Sequence, residues 1–179
     1  MKFKSGLQKY LLIFVIFTVA ILLQAQKRPS WSVYFSSHGG CADAILKELN
    51  KAKSSILVQA YSFTSPLIVK ALVTAHKRGV KVEVIVDKSQ RTKKYSPADF
   101  MSNQGIPTRI NAVNTVAHNR VMIIDGKTLI TGSFNFTKPG EEKNVGDLMV
   151  IRDKSLAATY VESWKVHWEH SEPYARRGR

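Results

Sequence analysis

A chain of 179 residues, 44% of them hydrophobic, is long enough for one domain with a buried core and too short for two large ones. That composition excludes a disordered tail protein, and 27 Lys and Arg against 13 Asp and Glu give a net charge of +14, a surface that attracts nucleic acid or an anionic membrane. The single cysteine, Cys41, excludes an intramolecular disulfide and a Cys-rich zinc site.

Residues 1–26 have the layout of a secretory signal. Lys2, Lys4 and Lys9 form a positive start, Leu11 to Leu23 is an apolar run of 13 residues, and Leu23-Gln24-Ala25 ends on a small residue. The run is short for a membrane span. Cleaved, it predicts a periplasmic or secreted protein; retained, it predicts an N-terminal membrane anchor. Setting these residues aside removes three lysines and no acid and lowers the charge from +14 to +11, so the basic character belongs to the expected folded unit, residues 27–172.

Strand-like and helix-like segments then alternate. Residues 33–36 predict a short strand, and 41–52 have helical spacing, with Ala44, Ile45, Leu46 and Leu49 on one face. Cys41 reads there as packing filler near a helix start. Residues 55–62 predict a buried strand. Ser65-Pro66 pairs a capping residue with proline at the first helical position, predicting a helix to about Arg78 that Gly79 ends. Residues 80–86 predict the next strand, with Val80, Val82, Val84 and Val86 on one face.

The stretch 87–97 breaks the pattern. It holds Lys88, Arg91, Lys93 and Lys94 and reads as a loop: either a solvated turn or a phosphate-contacting lip at the carboxyl end of a strand, where sites in open α/β sheets gather. A short helix over 98–103 and a strand over 107–110 follow. Two apolar runs, 121–124 and 128–131, flank Asp125-Gly126 as a tight hairpin. A strand over 147–151, a helix over 156–168 with Trp164 and Trp168 on one face, and a basic tail over 173–179 complete the order. Strands alternating with helices predict an α/β fold with right-handed crossovers and a mixed or parallel sheet.

Residues 118–135 carry the chemistry, reading HNRVMIIDGKTLITGSFN. On a strand, His118 and Arg120 project from one face. An imidazole attacks phosphorus, and a neighbouring guanidinium neutralises the oxygens as charge builds. Ser133 and Asn135, on the other arm of the hairpin, offer a hydroxyl and an amide to a phosphate oxygen. Gly132 permits close backbone approach. Asp125 sits too far along to share the cluster and is assigned a structural role, bonding turn amides. His167 and His170 flank Glu169 at ligand-like spacing, but placement on a helix surface beside Trp168 is the commoner explanation and no third ligand is evident. His38, before Gly39-Gly40, is a weaker candidate in a loop.

The segment resembles the signature of the phospholipase D superfamily: His-x-Lys, four residues, Asp, six residues, Gly-Ser-x-Asn. The spacing matches throughout, with Arg120 in place of the lysine. AYSFTS at 60–65, the DKSQRTKKYS loop, GIP at 105–107 and FNFTKPGEEKN at 134–144 are similar to the small bacterial endonucleases of that superfamily.

The resemblance implies an α/β sandwich, a central mixed sheet with helices on both faces. It also implies a metal-independent phosphodiesterase without cofactors, working through a phosphohistidine intermediate on nucleic acid. One motif per chain implies a homodimer in which one His118 is the nucleophile and its twin the general acid. Two departures bear on activity. Arg120 replaces a compact ammonium with a planar fork, and Gly146 stands where those relatives carry a glutamate that orients the histidine. Asp147, one residue later, would face the opposite side of a regular strand. Two other readings fit the same residues: a non-catalytic nucleic-acid-binding relative, and a lipid phosphodiesterase held at a membrane by the N-terminal segment.

Overall fold

The computed structural model describes residues 29–36, 39–61, 63–90, 96–112 and 118–174, with the isolated positions 10 and 14. The rest of the expected signal segment, His38, the loop residues Arg91, Lys93 and Lys94, and residues 175–179 lie outside the described residues.

Eight strands form one mixed sheet in the order β1-β7-β6-β5-β2-β3-β4-β8. At its centre, β2 (Ser55–Ala60) pairs in parallel with β3 (Lys81–Asp87), which pairs in parallel with β4 (Thr108–Asn111). On the other side of β2, the chain runs antiparallel through β5 (Arg120–Ile124), β6 (Thr128–Gly132), β7 (Asp147–Arg152) and the edge strand β1 (Ser30–Phe35). The parallel pairs arise where helices intervene, because a parallel return needs a crossover; the β5–β6 pair closes through a three-residue turn, Asp125 to Lys127. At the opposite edge, β8 (Glu172–Pro173) pairs with β4, so the sheet includes the first residue of the expected tail.

Period-two alternation gives the sheet two apolar faces. Ile56, Val58, Val84, Met122 and Ile130 face α1 (Cys41–Lys51) and α2 (Pro66–Lys77), whose Ile45, Leu49, Ile68 and Leu72 are buried against them. Ile85, Val121, Ile123 and Leu129 face the other way, onto Ala157 and Trp164 of α5 (Lys154–Glu169). Each large side chain removed from water in these layers contributes roughly 1.5–3 kcal/mol. Trp164 also donates its indole N–H to the Val58 carbonyl at 3.0 Å, fixing α5 over the centre of the sheet. The α/β sandwich with helices on both faces is the architecture the resemblance implies.

The helix starts follow their caps. Ser65 accepts from the Ile68 amide ahead of Pro66, and Ser96 accepts from the Asp99 amide ahead of α3 (Pro97–Asn103). The stretch expected as a loop from residue 87 begins with order: Asp87 ends β3, and Lys88–Gln90 forms one 3-10 turn as the Ser89 amide donates to the Asp87 carboxylate. A short helix not expected from the sequence, α4 (Lys138–Glu142), follows the hairpin and is capped by Thr137.

Candidate active site

β5 runs antiparallel to β2, so its first residue lies at the carboxyl end of the central strand. Arg120 pairs with Ala60, and the Tyr61 amide donates to the Asn119 carbonyl at 2.9 Å, extending the pairing past both strand ends. His118 therefore precedes β5 instead of lying within it, and is exposed at the sheet's rim. The alternation still holds. Asn119 turns one way, to accept from the Gln59 side chain at 3.2 Å, and His118 and Arg120 turn together.

Arg120 is the hub. Its Nε donates to Oδ1 of Asn135 at 2.8 Å, its Nη2 lies 3.1 Å from His118 Nε2, and its Nη1 lies 3.4 Å from His118 Nδ1. A guanidinium has only donors, so an imidazole nitrogen bonded to it presents a lone pair. The Tyr61 ring packs against the imidazole, 4.7 Å between centroids at 57°. Partial burial pulls the Arg120 pKa below its ordinary value, with Tyr61 acting in the opposite direction. The side chain remains a cation at neutral pH.

Ser133 and Asp147 form a second cluster, and here the sequence expectation is corrected. Asp147 is not turned away. Gly132 pairs with Leu148, but the next backbone bond runs from the Phe134 amide to the Asp147 carbonyl, so Ser133 and Phe134 together stand opposite Asp147. That extra residue is a bulge, and it re-aims the side chains. The Ser133 hydroxyl donates to the Asp147 carboxylate and accepts from the Asp147 amide at 3.0 Å. Among the described residues, the side chain that hydrogen-bonds the His118 ring is Arg120; the Asp147 carboxylate is bonded to Ser133 and not to the imidazole.

Gly132 makes the bulge feasible. It sits at φ 146°, and a Cβ there would lie 2.3 Å from the Asp147 carbonyl oxygen. Beyond Asn135, a Cβ on Gly140 would lie 2.4 Å from the Asn135 carbonyl oxygen. The Phe136 carbonyl accepts from both the Thr64 and Ser65 amides at 3.0 Å, stitching the Asn135 loop to the start of α2. Glu141 reaches back to the start of α1, accepting from the Gly40 and Ala42 amides at 3.0 Å each. Cys41 lies between, fully buried. Burial, followed by the charges of Glu141 and Asp147, raises its thiol to about 11, which suits a packing role.

Asp125 stands apart from the cluster. Its carboxylate accepts from the amides of Lys53, Ser54 and Ser55 and from the Ser54 hydroxyl, so the amides it holds belong to the turn before β2 and not to its own hairpin. Burial pushes its pKa up, but these hydrogen bonds win and bring it down to about 2. Lys88 is exposed just past the end of β3. His167 and His170 lie at the end of α5, and no group of three or more His, Cys, Asp or Glu among the described residues has the arrangement of a metal site. Tyr61, Asp147 and Glu141 are the site residues that motif reading missed. For Tyr61 the signal was its place directly after β2, opposite Asn119.

A hairpin presenting His-x-Arg on one arm and Ser-x-Asn on the other, at the rim of an α/β sandwich, defines a phosphodiesterase-type site. The family described as "Cardiolipin synthase, PLD-like domain" matches residues 45–168. The "Phospholipase D" of Rickettsia typhi is 39% identical over 137 residues, 76% of this chain and 67% of that protein. The "Mitochondrial cardiolipin hydrolase" of Mus musculus is 30% identical over 129 residues, 72% of this chain and 58% of that protein. The crystal structure of the phospholipase D family member Nuc from Salmonella typhimurium superposes with a TM-score of 0.79 at 39% identity, covering 83% of this chain and all of that one. The chain belongs to the phospholipase D superfamily, as a member with a single motif.

Proposed function

We propose that this protein hydrolyses phosphodiesters of nucleic acid in a site shared by two copies of the chain. The observation that carries the reading is the contact of Arg120 with both His118 and Asn135: a nucleophile, a cation and an amide converge on one point of the rim. Bound phosphate draws the Arg120 Nη2 donor from His118 Nε2 to a phosphoryl oxygen; the freed Nε2 lone pair attacks phosphorus, a P–N bond forms as the P–O bond to the leaving oxygen breaks, and the partner subunit's His118 gives that oxygen its proton. Water then attacks the phosphohistidine, giving a proton to the partner subunit's His118 as the P–N bond breaks. Arg120 holds the charge that builds on the phosphoryl oxygens, the Asn135 amide donates beside it, and the Ser133 hydroxyl joins them once it turns from the Asp147 carboxylate.

A second copy has a surface to meet. Trp31, Val33 and Phe35 are 68%, 37% and 56% exposed along one face of the edge strand β1, and Val145 is 89% exposed nearby. Phe35 lies opposite Asp147, so this strip abuts the site. Nucleic acid is favoured by the charge of +14 and by the exposed Lys88 at the strand end. The N-terminal segment remains our proposed secretory signal or anchor; among the described residues no helix is long and apolar enough to cross a membrane.

The test is an assay of purified protein on DNA, RNA and a small phosphodiester, with chelator in excess. Cleavage that persists supports the reading, since Arg120 supplies the stabilising charge. Loss of activity that magnesium or zinc restores overturns it. Hydrolysis of a phospholipid and not of nucleic acid would select the lipid reading, which the names of the Rickettsia and mouse relatives favour.

A further inference from the structure

A groove of about 770 Å³ lies between α2 and α3, within the range of about 300–1,000 Å³ usual for small-ligand sites. It runs beside α2, a helix of 12 residues and about 18 Å. Pro66, Val69 and Val73 form one wall, and Pro97 and Phe100 the other. Phe100 is 50% exposed, although its ring lines an apolar surface.

Two of the hydroxyls that line the groove are already engaged, which leaves the Thr64 and Gln104 side chains as its other uncharged polar groups. The Ser96 hydroxyl is occupied in capping α3, and the Thr74 hydroxyl donates to the Lys70 carbonyl at 2.9 Å. Among the described residues, the charged groups that line it are Lys70 and Lys77, both exposed, and no carboxylate does. An apolar slot with a cationic border fits an apolar tail carrying an anionic head; a nucleobase, which is recognised through hydrogen bonds at its edge, would find few partners.

We propose that this groove is a binding site for the acyl chain of an anionic amphiphile, separate from the phosphodiester centre. The tail lies between the two helices and the head meets Lys70 or Lys77. Thr64, which lines the groove, adjoins the site's own framework, because its amide bonds to the carbonyl of Phe136, one residue past Asn135.

Myristate is the decisive probe, because it has the tail and the charge but no phosphodiester. Titration calorimetry of the full chain with myristate, below its micelle concentration, is expected to show saturable binding of one molecule per chain. Thr74→Trp, a substitution at an exposed helix position, fills the groove and abolishes binding while the thermal midpoint is unchanged. Lys70→Glu with Lys77→Glu weakens binding severalfold, and His118→Ala binds as wild type. Absence of saturable binding, binding that survives Thr74→Trp, or displacement of myristate by a short oligonucleotide would each overturn the proposal. None of these outcomes depends on whether the protein cleaves nucleic acid.

Discussion

Arg120 and Asn135 are joined by a 2.8 Å hydrogen bond from Nε to Oδ1, which ties the first residue of β5 to the loop that follows β6. The guanidinium thus does two tasks, holding that loop with one nitrogen and facing His118 with the others. A lysine supplies the charge but cannot fork in this way.

The first expectation rests on the charge and not on the fork. Arg120→Lys keeps or raises turnover, because the ammonium still reaches the phosphoryl oxygens. Arg120→Ala lowers kcat by about 10²–10³, as losing one transition-state charge contact does. Steady-state rates on a small phosphodiester decide the matter, and equal activity in all three proteins would show that residue 120 does not touch phosphate.

Ser133 and Asp147 act as one unit. The hydroxyl and the carboxylate are bonded to each other, so removing either removes the same interaction. Ser133→Ala and Asp147→Ala should be non-additive, with a coupling of about 0.5–3 kcal/mol in a double-mutant cycle of kcat/KM. Additive effects would mean that Asp147 serves no purpose through Ser133.

Asp125 makes acid stability predictable in sign. Its folded pKa of about 2 lies below the ordinary 3.8, so its contribution is present above that ordinary value and disappears as pH falls through about 2. At neutral pH it amounts to roughly 2 kcal/mol. Urea denaturation of wild type and Asp125→Asn should differ by about that amount near pH 7 and converge in strong acid. A gap that widens on acidification contradicts the assignment.

Shared catalysis predicts poisoning. If wild-type and His118→Ala chains are unfolded and refolded together in equal amounts, random pairing leaves roughly a quarter of the dimers fully wild type. Activity per wild-type chain then falls to about half. Trp31→Arg should abolish both dimer and activity, read by sedimentation and by the same assay. Undiminished activity per wild-type chain, or an active Trp31→Arg monomer, would mean that each chain works alone.

The sequence disclosed those parts of the molecule that depend on local rules. Ser65-Pro66 announced α2 because a cap and a proline act within four residues, and Asp125-Gly126 announced the hairpin for the same reason. The His118–Asn135 motif was legible through its spacing. Asp147 was misread because strand alternation was carried through a bulge that depends on Gly132 and on the chain opposite. Tyr61 and Glu141 went unnoticed because their roles come from residues 57 and 101 positions away in the chain, His118 and Gly40. The partner amides of Asp125 were likewise non-local, some 70 positions distant.

The two sterically closed glycines have a bearing on how this site can change over generations. With 2.3 Å and 2.4 Å of room where side chains would start, positions 132 and 140 admit no replacement that keeps the backbone in place. They bracket the segment carrying Ser133 and Asn135, so its backbone is held at both ends by positions with no room for a side chain. Room for change lies at exposed positions such as Lys88 and Val145. A library aimed at new substrates gains most by sampling such positions and leaving both glycines untouched.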